Sequence, residues 1–311
     1  MKQKEHKTSI GGQAVMEGVM MRGPRDIAIS VRKPDGEIVT DKKIAPSLTK
    51  KNKILGLPII RGCISFFESL VTGTKALMYS ADFVDIESEE QPSKFDQWIE
   101  RVCGDKLKDY VIYFSVFLSL VFSIGLFILL PTIVVGFLKN WIPGQVLKSL
   151  LEGVVRILIF LSYLYFAAKL PDIKRVFEYH GAEHKTIACY EAGEELTVEN
   201  ARTKCRLHPR CGTSFLLIVM VVSIIVFSFL RWDNVWIRSL TRIVLLPVVA
   251  GVSYEIIKYA GRHDNWLTRI ISWPGLMLQK ITTQEPDDSQ LEVAIASLDA
   301  VLTGDPAEDE W

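Results

Sequence analysis

Val111–Leu138 runs for 28 residues without a charged side chain, and Gly212–Leu230 runs for 19. A helix crosses the hydrocarbon of a bilayer with about 20 apolar residues, and backbone that meets lipid must satisfy its own hydrogen bonds. Both runs therefore read as membrane-spanning helices. Hydrophobic residues make up 49% of the chain, an ordinary share for a globular protein; what is unusual is their concentration. Two weaker spans follow. Leu147–Leu170 contains the apolar run Ile157–Ala168 but also Glu152 and Arg156, and Val235–Lys258 contains Ile243–Tyr254 flanked by Arg238, Arg242, Glu255 and Lys258. Glu152 and Arg156 are one helical turn apart and are expected to neutralise each other near a membrane interface. The fold expected is mainly α: a polytopic helical membrane protein with about four transmembrane helices within residues 111–260.

Lys and Arg number 36 against 36 Asp and Glu. Zero net charge excludes a strongly basic nucleic-acid binder, so no nucleic-acid partner is expected. The expected partners are the lipid bilayer and either other membrane proteins or a second copy of the chain. Fourteen basic residues flank the spans on the side that carries both termini and the long connection 171–213, and five flank them on the other. The excess marks the cytoplasmic side. A multi-pass protein of the cell inner (cytoplasmic) membrane with both termini inside follows as the expectation. Met1–Lys7 leads into glycine and polar residues rather than an apolar stretch, so no signal peptide is expected. The five cysteines, Cys63, Cys103, Cys189, Cys205 and Cys211, then face a reducing compartment, where thiols serve as packing groups or metal ligands rather than disulfides.

The flanking regions are soluble in character. Within residues 1–56, the β-prone runs Ile27–Lys33 and Glu37–Lys43 are joined by Pro34-Asp35-Gly36, which predicts a β-hairpin. The preceding Gly11–Pro24 holds four glycines and three methionines in 14 residues, a pattern of a tight loop under a close backbone approach or of a turn-rich entry to the hairpin. Residues 57–82 read as an amphipathic or re-entrant helix, with Arg61, Ser65, Glu68, Thr72 and Lys75 on one stripe. Residues 83–110 read as a linker. In the C-terminal tail 261–311, Leu291, Ile295, Leu298 and Leu302 recur at helical spacing, ahead of an acidic end expected to be solvated.

Chemistry concentrates in the long connection. His180-Gly181-Ala182-Glu183-His184 places two imidazoles one helical turn apart, with a carboxylate beside them that could ligate or move a proton. Some twenty residues on, Cys205-Arg206-Leu207-His208-Pro209-Arg210-Cys211 offers an imidazole and two thiols. Imidazole with thiolate favours zinc or another borderline divalent ion. His180, His184, His208 and Cys211 are the candidate metal ligands. Filling all four positions makes a structural site; three with an open fourth makes a catalytic one. Glu255 sits toward the cytoplasmic end of the last span, as a third ligand, a general base or the ion-pair partner of an Arg or Lys from a neighbouring helix.

Gly11–Pro24 (GGQAVMEGVMMRGP), Tyr179–Lys185 (YHGAEHK), His208–Phe215 (HPRCGTSF), Pro247–Glu255 (PVVAGVSYE) and Thr282–Ala294 (TTQEPDDSQLEVA) together resemble the YqhQ-like family of bacterial membrane proteins. The resemblance spans nearly the whole chain. It implies a metal-dependent enzyme of unassigned function and, by position, points to His180, Glu183, His184, His208, Cys211 and Glu17; Cys205 falls outside the matching element. Two readings follow. One is a metal-dependent membrane hydrolase with Glu183 or Glu255 as general base and Arg210 or Arg22 steadying a developing anion. The other is a non-catalytic membrane scaffold pinned by a structural metal.

Overall fold

The computed structural model describes residues 6–45, 47–51, 53–83, 107–138, 141–230, 234–263, 265–305 and 307–310. Most of the expected linker and all of Cys103 lie outside these. The chain divides into two compact units, one of Met1–Val84, Ser162–Val226 and Val244–Trp311, the other of Asp85–Leu161 and Phe227–Ile243. The described elements are strands β1 (Gly11–Val15), β2 (Gly18–Arg22), β3 (Asp26–Arg32) and β4 (Ile38–Ile44). The main helices are α1 (Ile60–Ala81), α2 (Leu107–Ile124), α3 (Leu130–Phe137), α4 (Gln145–Ala167) and α5 (Pro171–Glu191). They continue with α6 (Val198–Arg202), α7 (Gly212–Ser228), α8 (Val235–Arg262), α9 (Trp266–Thr282) and α10 (Asp288–Val301).

In the first unit the four strands form one antiparallel sheet in chain order. The hairpin at Pro34-Asp35-Gly36 forms as expected, closed by the Arg32–Ile38 pair with Gly36 at φ +90°. The glycine-rich run is a second hairpin and not a loop: Val15 pairs with Gly18 around Met16 and Glu17. Its glycines answer to crowding. A Cβ on Gly18 would overlap the Ser30 carbonyl oxygen and lie 3.0 Å from Val31 Cγ2. Side chains alternate across the sheet as the pleat requires. Val19, Met21 and Ala28 join one buried cluster; Val15, Met20, Ile27, Ile29 and Val31 join another on the opposite face.

Helix α10 covers the first face together with α5. It starts in a capping box, in which the Asp287 carboxylate accepts from the Gln290 N–H at 2.9 Å and the Gln290 amide oxygen accepts from the Asp287 N–H at 2.9 Å. Leu291 and Leu298 are fully buried, each burial contributing roughly 1.5–3 kcal/mol. Ser297 Oγ donates within reach of the Val19 and Ala28 carbonyls, at 2.9 and 3.2 Å, locking the helix to β2 and β3. The acidic end beyond it is not simply solvated. Asp309 is buried and accepts from the Tyr190 hydroxyl at 2.7 Å, with the His6 ring 2.6 Å away. Helix α1 lays Ala76 and Ser80 on the second sheet face and leaves Phe67, Leu70, Val71, Leu77 and Met78 exposed.

Among the described residues, three helical stretches are long and apolar enough to cross a membrane: Phe114–Phe137 (24 residues), Val146–Ala167 (22 residues) and Trp236–Arg262 (27 residues). The first is continuous through a π turn at Gly125–Leu129. Where the sequence indicates a further span, helix α7 is only 17 residues long. At 1.5 Å per residue it reaches about 25 Å, short of the ~30 Å hydrocarbon core. The difference arises at the end of the run, where Phe229 and Leu230 leave the helix although they continue the apolar sequence.

Candidate metal centre

Within the long connection 171–213, helix α5 carries the HGAEH run, as its spacing predicts. Leu170 is extended, Pro171 takes the first turn where no N–H is needed, and Asp172 faces the helix N-terminus. From Tyr179 to Cys189 the helix is buried almost throughout, Glu183, His184, Lys185 and Thr186 included. Polar groups buried on that scale require partners. Lys185 donates to the Arg202 carbonyl at 2.9 Å and pairs with Glu285. Gly181 lets the helix press on the segment after α9: a Cβ there would overlap the Gln284 carbonyl oxygen and lie 3.3 Å from Pro286 Cδ.

The two histidines of the HGAEH run are each oriented by a backbone carbonyl. His180 Nδ1 donates to the Thr282 carbonyl at 2.8 Å and His184 Nδ1 to the Arg206 carbonyl at 2.6 Å. A carbonyl can only accept, so the proton sits on Nδ1 and each Nε2 presents a lone pair. His184 Nε2 is buried and has no hydrogen-bond partner. His180 Nε2 lies 3.2 Å from Cys211 Sγ. The ligand atoms of His180, His184 and Cys211 all lie within 4.8 Å of one another. Tetrahedral ligation at normal zinc distances needs separations of about 3.3 Å between nitrogens and about 3.6 Å from nitrogen to sulfur. The donor set and its orphaned nitrogen therefore fit a divalent ion. Burial, partly offset by Cys211, holds the His184 pKa below that of an ordinary histidine, which keeps the ring in its ligating neutral form.

Cys211 stands at the head of α7, where the Thr213 N–H donates to its sulfur at 3.4 Å. Gln279 fixes this turn. Its amide oxygen accepts from the His208 N–H at 2.8 Å, and its amide nitrogen donates to the His208 carbonyl at 2.8 Å and to Ser214 Oγ at 3.2 Å. His208 itself is directed elsewhere: its Nε2 lies 3.2 Å from Glu191, which also pairs with Arg210. Although burial works against it, the contacts with His208 and Arg210 hold the Glu191 carboxyl below the usual range.

Glu183 is 4% exposed, and its Oε2 is buried without a hydrogen-bond partner. Burial raises its pKa, against the opposing effects of His180 and the Gly12 N–H. Gly12 is a fitted neighbour: a Cβ on it would stand 2.9 Å from the Glu183 carboxyl carbon. Glu183, His184, His208, Arg210 and Cys211 line a cavity of about 290 Å³ closed by β1, β2 and α1, with Arg22 on its wall. Arg22 also pairs with Glu68 at 3.5 Å.

The remaining candidates lie away from this cavity. Glu255 receives Arg61 through Nε at 2.7 Å and through a second, shorter contact, an ion pair between α1 and α8. Glu17 clamps the first hairpin to α5, accepting from Arg175 and from the Tyr179 hydroxyl at 3.2 Å. Cys205 is exposed. Gln279, Thr282 and Gly12 were not singled out by residue type, although the family-like runs at Gly11–Pro24 and Thr282–Ala294 contain the last two.

Residues 57–304 match the family described as "Protein of unknown function (DUF1385)". The chain belongs to this family. It is also similar to the uncharacterized protein YqhQ of Bacillus subtilis (strain 168), at 35% identity over 301 residues, covering 96% of this chain and 94% of that protein. No solved structure matches.

Proposed function

We propose that the protein is a metal-dependent hydrolase working at the cytoplasmic face of the inner membrane, with His180, His184 and Cys211 holding a zinc-like ion. Two imidazoles and one thiolate suit zinc better than hard, oxygen-seeking cations. The observation that carries the reading is ligand number. Three donors converge among the described residues, His208 turns to Glu191, and two of the three, His184 and Cys211, border a cavity. A structural site would be closed.

When bound, the ion supplies Lewis acidity toward a carbonyl or phosphoryl oxygen. Glu183, buried in the lining of the same cavity with a raised pKa, would take a proton from an attacking water and return it to the leaving group. Arg210, on the cavity wall, steadies charge that develops on the substrate. The basic excess on one side supports cytoplasmic termini. A fourth crossing by α7 would require thinning of the bilayer or residues beyond the helix. The exposed apolar face of α1 suits a helix lying in the interface.

The test is Glu183→Gln. The amide keeps shape and leaves the ligands in place, so metal content and thermal stability in detergent should match the parent. Complementation of a deletion strain should fail. Normal complementation by Glu183→Gln, together with a Cys211→Ser protein that unfolds on losing metal, would instead establish a scaffold with a structural ion.

A further inference from the structure

Helix α1 covers only part of the second sheet face. Ala76 and Ser80 reach the sheet, and the helix, β3, β4 and the segment after it enclose a groove of about 500 Å³. Its lining is mostly apolar and includes Ile27, Ile29, Ile44, Leu48, Phe67 and Val71, with Lys43 and Lys75 among the few charged residues. Small-molecule sites have this character, roughly 300–1,000 Å³ of apolar wall with a few polar groups. Ile27 and Ile29 form the floor and are 5% and 6% exposed, whereas Ile44, Leu48, Phe67 and Val71 are exposed around it.

The groove lies between a polar cavity and a pair of apolar helices. It shares Thr72 with the cavity beside the metal centre, and an ion pair at 3.5 Å joins the two, Arg22 lining the cavity and Glu68 the groove. Glu68 also accepts from the Leu48 N–H at 2.6 Å, which holds the edge of the groove to α1. On its other side α1 packs against α7 and α8. A Cβ on Gly62 would stand 2.9 Å from the Gly251 carbonyl oxygen, and the Phe66 and Phe215 ring centroids lie 6.1 Å apart. Gly251 belongs to the Trp236–Arg262 stretch, which is apolar enough to cross a membrane. An apolar groove that adjoins a span and leads to a polar cavity suits an amphiphile. The surrounding chain selects the sign of its charge. From Lys42 to Arg61 the sequence carries six basic residues and no carboxylate, the pattern of segments that attract anionic headgroups.

We propose that this groove holds an acyl chain of an anionic membrane phospholipid, which brings the headgroup to the Arg22–Glu68 pair at the edge of the metal cavity. Treating that lipid as the substrate rests on the hydrolase proposed above; binding of its chain does not. The full-length protein is placed in phosphatidylcholine nanodiscs doped with phosphatidylglycerol or phosphatidylcholine that carries a diazirine in one acyl chain. After irradiation the labelled residues are mapped by mass spectrometry. Label should appear on Ile27 and Ile29 as well as on exposed residues of α8, because lipid of the surrounding bilayer meets only the latter. The floor should label about fivefold more strongly with the phosphatidylglycerol probe, and Lys75→Glu should remove that preference. Val71→Trp, which fills the groove from an exposed position, should lose the floor label while α8 keeps its own. A floor left unlabelled beside a labelled α8 overturns the proposal and leaves the groove to a protein partner. So does a floor label that Val71→Trp does not reduce, or one equal for both probes, and the last holds even where Val71→Trp fails to fold. Labelling is read without turnover. A labelled floor in a protein without hydrolase activity removes only the substrate reading, and an unlabelled floor in an active hydrolase removes only the groove.

Discussion

Gly181→Ala sets two physical effects against each other at the metal centre. By helix propensity alone, alanine in the middle of α5 should stabilise the helix by about 1 kcal/mol. The structure reverses the sign. The new Cβ would overlap the Gln284 carbonyl oxygen and sit 3.2 Å from its carbon, and that segment cannot simply retreat, because the Gln284 N–H is bonded back to the Phe177 carbonyl at 2.8 Å. Overpacking against backbone costs typically 1–3 kcal/mol. The shift also draws Thr282, two residues away, off the His180 Nδ1 that it holds at 2.8 Å, and losing such an orienting contact typically lowers metal affinity 10–100-fold. We expect net destabilisation of roughly 2 kcal/mol, a fall in unfolding temperature of about 5 °C, and weaker retention of zinc against a chelator. The matched control is Gly212→Ala, beside a ligand but with open space around a Cβ; it should keep its metal. A Gly181→Ala protein as stable and as well metallated as that control would refute the packing argument.

Two further outcomes are expected. His180→Ala, His184→Ala and Cys211→Ala should each abolish stoichiometric zinc in the purified protein, whereas His208→Ala should retain most of it, since His208 faces Glu191; equal loss in all four, measured by elemental analysis, would return His208 to the ligand set. A reporter fused after the C-terminus should read cytoplasmic and one inserted at Gly144 should read the opposite compartment; identical readings would remove one of the crossings between them.

Local patterns carried well from sequence to structure. The HGAEH spacing describes a real helix face, the Pro34-Asp35-Gly36 turn closes the hairpin, and Leu291 and Leu298 lie in the core as their periodicity requires. What escaped depends on contacts distant along the chain. No local rule could reveal that the Thr282 carbonyl orients His180, or that Gln279 clasps His208. The glycines of the first hairpin obscured a strand pair because they lower β propensity, yet Gly18 is small because of Ser30 in the next strand, and Gly12 because of Glu183, far ahead in the sequence. Hydropathy likewise measured α7 by its apolar composition, while its helix ends earlier. Glu152 was matched with its neighbour in sequence, but across the helices two arginines compete for it more successfully.

The closure of the first sheet by α10 imposes an order on synthesis. Val19, Met21 and Ala28 are made more than 260 residues ahead of Leu291, Leu298 and Val301, which cover them. At a ribosome's pace of about 5–20 residues per second, that leaves the sheet waiting tens of seconds. The ligands inherit the same delay, because His180 is not held until Thr282 emerges. A ribosome that stalls short of the tail therefore leaves behind an immature protein, with an uncovered sheet that invites proteolysis and a His180 ring without its orienting carbonyl.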